Sequence, residues 1–292
     1  MRLLCCWIMI MLGGCKTLAP LPEWQGSEGR DHPQLGAVID LRSGEHLQPA
    51  ELVARLSQAD RVLIGERHDN PDHHALQVWL LQALGQGRAP GSLLLEMLNP
   101  DQQARVSRAQ AEFRRGESVD LPSALGWQEG WDWSLYGPLV RYALEQPYPL
   151  LAANLDREEI VELYRSGAAL EGRASTAQAP RQMLLAQIAE SHCGMLPESQ
   201  LPAMLAVQQH RDRRMAERLL EAPSPAVLIA GAFHVRRDLG VPLHLDDLQA
   251  LGESRVLMLA EAGEAISAQQ ADFVWFTPAP PAQDHCASFR KG

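Results

Sequence analysis

The amino-acid sequence predicts an α/β fold, in which helices flank a mostly parallel central sheet and a helical cap subdomain covers part of it. Short apolar runs such as residues 61–65 alternate with longer segments that carry apolar residues at helical spacing. Most of the runs are continuously apolar, which is typical of parallel strands buried on both faces. With 292 residues, 46% of them hydrophobic, the chain is long enough for one large core.

The predicted elements follow one another along the chain. The strands are predicted at residues 36–41, 61–65, 91–97, 148–155, 226–231, 254–261 and 271–277. The helices are predicted at residues 49–58, at 71–87, at 100–115 and from 156 onward. Asn70 and Pro71 are typical of a helix cap and of a first helical position, so a helix should begin directly after the strand 61–65.

Two long helical stretches interrupt the strand pattern. Residues 100–145 and 156–221 are expected to form the helical cap over one edge of the sheet. Within the second stretch, residues 167–180 are small and polar, and we expect them to form a mobile loop. The globular α/β domain as a whole is predicted to cover residues 35–290.

The N-terminus has the pattern of a secretory signal. Arg2 precedes ten apolar residues, too few to span a bilayer, which takes about 20. The sequence LGGC at residues 12–15 resembles a bacterial lipobox, so we predict a signal peptide over residues 1–14 and lipidation of Cys15. An ordinary cleaved signal or a retained anchor is the alternative. Residues 15–34, rich in proline, would form a tether to the domain.

The net charge and the cysteine content indicate which cell compartment and which kinds of partner to expect. Lys16 after the lipidated cysteine favours the outer membrane, with the domain facing the periplasm. The formal net charge of −10 argues against nucleic acid and anionic lipid as partners, so the acyl chains would provide the membrane anchor. In an oxidising compartment Cys193 and Cys286 predict one disulfide, although two buried free thiols are the alternative.

Titratable side chains follow several of the predicted strands. Glu66 and His68 lie in the sequence GERH, Glu96 ends another strand, and His234 closes the similar sequence GAFH. Because ligands bind beyond the carboxyl ends of parallel strands, these four side chains are expected to converge. They could act as acid and base, or His68 and His234 could hold a divalent metal. Alternatively, individual histidines only form hydrogen bonds in the core.

Supporting residues are predicted around this centre. His73 lies in the first turn of the following helix, and Asp212 could orient a histidine of the site. The neighbouring arginines of residues 211–214 are interpreted as a solvated face, from which one could bind a carboxylate. Arg236 follows His234 and is a candidate anchor for an anionic group.

An aromatic segment, residues 126–138, suggests a flat ligand. Its tryptophans either bind such a ligand or pack the cap onto the sheet. Its tyrosine, Tyr136, could ligate haem iron. His192 could also ligate iron or contact a propionate, or it could act as a charge at a helix C-terminus.

The motifs GERHDNPDHH, LLLEM, WDWSLYGP, HCGMLP, QHRDRRMA and GAFHVRRDLGVP together resemble ChaN-like proteins. The resemblance implies a lipid-anchored envelope protein that binds haem at a dimerising surface, with two haems stacked between subunits and a tyrosine ligand. Tyr136 is the first choice for that ligand and Tyr164 the second. The family is similar to Tiki-like and erythromycin-esterase-like proteins, in which the Gly-x-x-His residues form a metal or acid–base centre.

Two functions are therefore expected from the sequence. The first is a haem-binding lipoprotein for haem or iron uptake or storage, working with a haem receptor or transporter. The alternative is a metal-dependent hydrolase that uses Glu66, Glu96 and the two strand-end histidines. Whether any catalysis is retained stays open at this stage.

Overall fold

The computed structural model describes residues 18–284 and residue 286. The predicted α/β class is confirmed, with a single sheet that is mostly parallel. The predicted signal peptide and the lipidation site at Cys15 lie outside the described residues.

Eight strands form the sheet in the described part of the chain. They are β1 (Val38–Asp40), β2 (Glu45–Leu47), β3 (Arg61–Glu66), β4 (Ser92–Leu95), β5 (Leu150–Ala152), β6 (Ala226–Gly231), β7 (Ser254–Glu261) and β8 (Phe273–Thr277). Their order is β2-β1-β8-β7-β3-β6-β4-β5. The six strands from β8 to β5 are parallel, and β1 pairs antiparallel with both of its neighbours. The short strand β2 was missed in the sequence, because it has three residues and two of them are exposed.

Helices connect these strands in the order expected of a doubly wound fold. They are α1 (Pro49–Leu56), α2 (Pro71–Gln86), α3 (Gln103–Arg114), α4 (Leu121–Leu125), α5 (Trp133–Glu145), α6 (Arg157–Ser166), α7 (Gln178–Ser191), α8 (Leu201–Glu221), α9 (Ala232–Val235) and α10 (Val241–Asp247). The predicted start of α2 is confirmed, since the Asn70 side chain accepts hydrogen bonds from the backbone of Asp72 and His73.

The interiors of the central strands are apolar because each face of the sheet has its own core. Val62 and Ile64 of β3 point into the first core, which also holds residues of α2, α3 and α5. Leu63, between them in the strand, points into the second core with residues of α8 and α10. This arrangement explains why the strand residues do not alternate between apolar and polar.

The two helical stretches expected to form one cap pack against opposite faces instead. Helices α3 to α5 contribute to the first core, whereas α8 contributes to the second and packs against α6, α7 and α10. The sequence could not show this, because helical periodicity does not indicate which face of a sheet a helix covers.

Segments expected to be loose are attached to the domain. In the predicted tether, the backbone N–H groups of Gln25 and Gly26 donate to the buried Asp72 carboxylate at 2.7 and 2.8 Å, and Trp79 donates to the carbonyl of Ala19 at 2.8 Å. From residue 18 onward this segment is therefore packed against α2.

The loop before α7 is also held in place. The Asp247 carboxylate accepts hydrogen bonds from the backbone of Arg173, Ala174 and Ser175 and from the Ser175 hydroxyl. The loop that we expected to be mobile is thus anchored on α10.

The predicted disulfide is present between Cys193, just after α7, and Cys286, with a Cα–Cα distance of 5.9 Å. In the described part of the chain, no helix combines the length and the apolar character that a membrane crossing requires.

Candidate functional site at the strand ends and an adjacent groove

The register of the sheet brings the two Gly-x-x-His sequences together. Strand β3 lies directly beside β6, and Glu66 is paired with Gly231 in the parallel register. Strand β4, which leads to Glu96, is the next neighbour of β6. The predicted convergence of three strand ends is therefore present at the carboxyl edge of the sheet.

Gly65 and Gly231 are the glycines of the two Gly-x-x-His sequences, and each leaves space for side chains of the other sequence. A Cβ atom on Gly231 would lie 2.8 Å from His68 Nε2 and 3.5 Å from Glu96 Oε2. A Cβ atom on Gly65 would lie 2.4 Å from a methyl group of Val235, which follows His234. The glycines are thus required by the close approach of the two strand ends.

Glu66 is a buried carboxylate surrounded by donors. Its Oε1 accepts from the Tyr136 hydroxyl at 2.5 Å and lies 3.0 Å from His68 Nδ1. The Gln77 amide donates to its Oε2, and His74 Nδ1 lies 3.5 Å from the same oxygen. Burial alone would raise the pKa of Glu66, but His74, His68 and Tyr136 hold that pKa below its usual range. Glu66 is therefore an anion that orients its neighbours.

His234 lies between two buried carboxylates. Its Nε2 is 3.2 Å from Glu96 Oε1, and its Nδ1 contacts Asp212. Glu96 also accepts the Gly231 backbone N–H at 2.7 Å. Burial opposes the charge on His234, but Glu96 and Asp212 raise its pKa to about 10. The same imidazolium keeps the pKa of the buried Glu96 well below its usual range. The three groups form a charged chain in the protein interior.

His68 is the member of this cluster that faces solvent. Its side chain is 43% exposed, and its ring packs edge-on against Trp131 with centroids 4.9 Å apart. Burial of the ring lowers the pKa of His68, but the carboxylates Glu66 and Glu96 outweigh this and raise it. Since Nδ1 faces Glu66, Nε2 is the nitrogen that a reacting molecule would meet.

The donor geometry does not support the predicted metal site. Both ring nitrogens of His234 face carboxylates, and one ring nitrogen of His68 faces Glu66. Within residues 18–284 and residue 286, no three His, Cys, Asp or Glu side chains are grouped so that they could hold a metal ion. The arrangement instead resembles an acid–base cluster.

His73 has a structural role and does not join the cluster. Its Nδ1 accepts the Arg67 backbone N–H at 2.9 Å, so its Nε2 carries the proton and donates to the Thr277 hydroxyl at 3.0 Å. Burial lowers the pKa of His73 to about 3, so the ring is neutral. It ties the turn after β3 to the end of β8.

A separate groove of about 440 Å³ opens between α6, α7 and α8. Its walls are largely apolar, with side chains from all three helices: Ile160, Val161, Ile188, Met204 and Val207. Tyr164 of α6 also lines it and is 36% exposed, and His192 lies at the end of α7 beside it. His192 Nδ1 donates to the Ile188 carbonyl at 2.7 Å, which fixes the ring at the helix end.

The structure separates the four residues that we predicted to bind haem. Tyr164 and His192 line this groove. Tyr136 is 1% exposed, and burial together with Glu66 raises its pKa far above the usual range, so its hydroxyl is not available to a ligand. Arg236 is already paired with Asp238 through two contacts of 2.9 and 2.7 Å. Burial therefore argues against Tyr136, the first choice of iron ligand, whereas Tyr164, the second choice, lines the groove.

Several residues of both regions were not identified in the sequence. Gln77 and His74 reach Glu66 from α2. The only available indication was helical spacing, since Gln77 lies four residues after His73 and His74 lies three residues after Pro71. Gln208 lies 3.1 Å from His234 Nδ1 and also lines the groove, so the groove is one side chain away from the buried cluster. The spacing of four residues between Gln208 and Asp212 indicated that they share one face of a helix. It did not show that Gln208 reaches both the groove and the buried cluster.

Several solved structures are similar to this chain over most of its length. The structure of cofacial haem binding to ChaN of Campylobacter jejuni is similar over 86% of this chain and 98% of that one, with 28% identity and a TM-score of 0.76. The type III effector HopBA1 covers 78% of this chain and 92% of its own at 15% identity, with a TM-score of 0.43. An erythromycin esterase, EreC, covers 82% and 81% at 14% identity, with a TM-score of 0.41. No curated protein matches the chain.

The family model described as haem-binding uptake, Tiki superfamily, ChaN matches residues 52–245, which is more than half of the chain. This span includes β3, the strand-end cluster and all three helices of the groove. The chain therefore belongs to the ChaN family of haem-binding uptake proteins in the Tiki superfamily.

Proposed function

We propose that this protein binds haem in the groove between α6, α7 and α8, with the Tyr164 hydroxyl as the iron ligand, and that it serves haem uptake. The observation that carries the proposal is the position of Tyr164. Of the chain's tyrosines, it is the one that lines an apolar groove, whereas Tyr136 and Tyr148 are buried and Tyr142 contacts Tyr148. A phenolate oxygen is an established haem ligand.

The residues of the groove fit the chemistry of an iron porphyrin. A porphyrin has two flat apolar faces, and the groove offers apolar side chains such as Val161, Ile188 and Val207. Val161 is 38% exposed, so a ligand in the groove would remove apolar protein surface from water. Bound haem would supply the iron, and the chain would supply an oxygen ligand and an apolar wall.

Hemin titration of the purified protein tests the assignment. We expect a Soret shift that saturates at a defined stoichiometry, and we expect Tyr164→Phe to change its position and weaken binding. Tyr142→Phe is the matched control, because this tyrosine is partly buried on α5, away from the groove. A Tyr164→Phe spectrum identical to that of the unmodified protein would rule out this ligand.

We further propose that two copies of the protein meet over bound haem. Exposed apolar residues lie on the helices that form the groove, among them Val161 of α6 and Met183 of α7. Cofacial haem binding is the arrangement named for the similar Campylobacter jejuni structure. Sedimentation velocity should show a monomer without hemin and a dimer with it. A monomer at saturating hemin would contradict this arrangement.

The proposed location is the cell envelope, with the mature chain anchored through lipidated Cys15. The LGGC sequence and the following lysine support this proposal. We expect Cys15→Ala to release the protein from the membrane fraction and to abolish the acylated N-terminal peptide in mass spectrometry. A haem receptor or transporter would be the partner that supplies or accepts haem.

A second candidate function is metal-free acid–base hydrolysis at the strand ends. The specific observation is the exposed His68 imidazole, whose Nδ1 is held by Glu66 and whose Nε2 adjoins Gly231 and Glu96. Such a histidine can accept a proton from water. A panel of aryl esters and lactones should then be hydrolysed, with His68→Asn inactive and Tyr164→Phe fully active. If no turnover by the unmodified protein exceeds that of His68→Asn, the hydrolase function is refuted.

A further inference from the structure

The chain before β1 lies along the outer side of α2. We call residues 18–26 the N-terminal strap, a segment with neither helix nor strand structure. The Trp79 indole N–H donates to the Ala19 carbonyl at 2.8 Å, near one end of the strap. The backbone N–H groups of the last two strap residues donate to the buried Asp72 carboxylate at 2.7 and 2.8 Å. Because Asp72 and Trp79 both belong to α2, the strap is fixed on this helix at both ends.

The exposed side of the strap is apolar. Its sequence begins LAPLPEW, in which Glu23 is the one charged residue. Leu18 and Trp24 are half-buried and pack against the first core, and Leu21 between them is 41% exposed. Since residues 20–22 are Pro, Leu and Pro, the apolar surface is continuous here and is not limited to one side chain.

The helix beneath the strap adds no charge to this surface. Residues 75–86 of α2 include no Asp, Glu, Lys, Arg or His. Gln82 is exposed and lies about one helical turn after Trp79, the residue that holds the strap. The protein as a whole has a formal net charge of −10. A weakly polar surface on so acidic a molecule is suited to a partner that is itself neutral and apolar.

The length of chain between the proposed lipid and the strap limits where this partner can be. Cys15, the proposed lipidation site, lies four residue steps before Ala19. Even a fully extended chain spans at most about 14 Å over four steps. A domain of this size has a radius of gyration of about 18 Å. The lipid-bearing end therefore cannot reach around the domain, and the side that carries the strap is the side next to the membrane.

The proposed haem groove lies on the other side of the sheet. Helix α2 contributes Leu80 to the first core, whereas α8, one wall of the groove, contributes Met215 to the second core. The eight-stranded sheet separates these two cores. When the strap is next to the membrane, the groove is therefore directed away from it.

We propose that the strap and the exposed side of α2 rest on the headgroup region of the membrane that holds the lipidated Cys15, so that the groove faces the aqueous compartment. The partner of this surface is a neutral phospholipid interface, with Leu21 at the boundary between headgroups and acyl chains. This inference rests on the proposed lipid anchor and adds an orientation of the domain to it.

The composition of the surface suits a lipid interface. Tryptophan is enriched at the membrane–water boundary, and Trp24 lies within the strap. An exposed leucine that enters this boundary removes apolar area from water. Charged side chains would lose hydration there at a cost in free energy, and Glu23 is the one charged residue of the surface. The contact adds a preferred orientation to the acyl anchor.

Labels on the two sides of the sheet test the orientation. The acylated protein is placed in vesicles of phosphatidylcholine and phosphatidylethanolamine, with an NBD fluorophore on Leu21→Cys or on Leu220→Cys. Leu220 of α8 is the matched control, because it is an exposed leucine, at 38%, on the other side of the sheet. The introduced thiol is the free one in this protein, since Cys15 carries lipid and Cys193 and Cys286 form the disulfide.

Doxyl-labelled phosphatidylcholine in the vesicles then reports contact with lipid. We expect it to quench the label at position 21 at least about twofold more than the label at position 220, because an interfacial segment lies within ~5–10 Å of the boundary between headgroups and acyl chains. A label on Gln82→Cys should also be quenched more than the label at position 220. If Leu21→Cys fails to fold, Pro20→Cys provides the neighbouring exposed position.

A charge at position 21 tests whether the leucine itself makes the contact. In the protein labelled at Gln82→Cys, Leu21→Asp should weaken quenching by the doxyl lipid, because a carboxylate opposes insertion. Leu220→Asp should leave that quenching unchanged. Equal quenching in the two charged variants would show that Leu21 does not contact lipid.

Other outcomes would overturn the inference in distinguishable ways. If the labels at positions 21 and 220 are quenched equally, the orientation is wrong, while the lipid anchor and haem binding stand. If the label at position 21 shifts to the blue in native envelope fragments but not in pure lipid vesicles, the partner is a protein and the lipid contact is wrong. If Cys15 carries no acyl group, the anchor fails together with this inference, and the hemin titration remains an independent test of haem binding.

Discussion

The histidines of this protein show how the neighbours of a side chain decide its role. His73 accepts a backbone N–H and donates to a threonine, so it is neutral and structural. His234 lies between two carboxylates and carries a charge in the interior. His68 contacts the Glu66 carboxylate and is exposed to solvent. Depending on its neighbours, an imidazole in this protein therefore connects two elements, carries a buried charge or faces solvent.

Stability should depend on pH through His234. The folded-state pKa is raised to about 10, above the value near 6.5 of an unfolded histidine. The stabilisation from this charge is thus fully present below pH ~6.5 and is lost as the pH rises toward 10. We expect the free energy of unfolding to fall by at most about 1.4 kcal/mol per pH unit in this window.

The measurement is urea unfolding at a series of pH values. His234→Gln should be less stable than the unmodified protein at pH 6, and the difference between the two should shrink by pH 10. A difference that is constant across this range would show that His234 carries no charge in the folded protein.

The close contacts around Gly231 predict that a larger residue at this position is destabilising. Gly231→Ala would place a methyl group 2.8 Å from His68 Nε2, so the imidazole must move and the protein should lose about 1–3 kcal/mol of stability. Gly130→Ala is the matched control, since no atom lies within 4 Å of its added Cβ and a small stabilisation is expected. Equal stability of the two variants, measured by thermal unfolding, would contradict the close approach.

At the scale of elements, polar anchors hold the segments between helices and strands. Asp247 fixes the loop before α7 through three backbone N–H groups and one hydroxyl, and Asp72 does the same for the N-terminal segment. Both segments look flexible in the sequence because they are polar or rich in proline. Their anchors lie far away in the chain, so composition alone could not reveal them.

Replacement of Asp247 should release its loop. The hydrogen-bonded donors hold the pKa of Asp247 at about 2, so its stabilisation is present above the unfolded pKa near 3.9 and is lost as the pH falls toward 2. We expect Asp247→Asn to cost about 1–3 kcal/mol at neutral pH. Trypsin should cleave after Arg173 faster in this variant than in Asp246→Asn, the exposed neighbour. Equal cleavage rates would contradict the anchoring role.

For the whole molecule, the Cys193–Cys286 disulfide is the main covalent constraint on the described chain. It joins residues 93 positions apart and attaches the C-terminal segment beside the groove that contains His192. A crosslink of this span stabilises mainly by restricting the unfolded chain.

Removal of the crosslink should therefore lower stability without changing the fold. In the chain-entropy estimate, a loop of this length contributes up to about 4–5 kcal/mol, and measured values are often smaller. We expect the double variant Cys193→Ser, Cys286→Ser to shift the urea midpoint downward and to match the unmodified protein under reducing conditions. An unchanged midpoint would indicate that the disulfide does not persist in solution.

Much of the fold was predictable because burial on both faces leaves a direct record in the sequence. The runs at residues 62–65 and 226–231 are continuously apolar, and both belong to central strands with a core on each side. The strand β2 was missed because its three residues have no such pattern. The placement of the helical stretches on opposite faces was also missed, since that choice depends on connections and not on local periodicity.

The strand-end cluster was predictable for a similar reason. Parallel strands place their carboxyl ends at one edge, so Glu66, Glu96 and His234 had to be near one another once their strands were neighbours. Which candidate tyrosine is accessible was not predictable, because Tyr136 and Tyr164 differ in exposure and not in any local sequence feature.

The sequence alone determined the fold class, the set of strand-end acids and histidines, and the family resemblance, because apolar periodicity and motif spacing are properties of the chain itself. Only the tertiary structure decided which tyrosine faces a groove and which histidine is charged. These properties depend on burial and on partners that lie far apart in the chain, and such contacts exist only after the chain has folded.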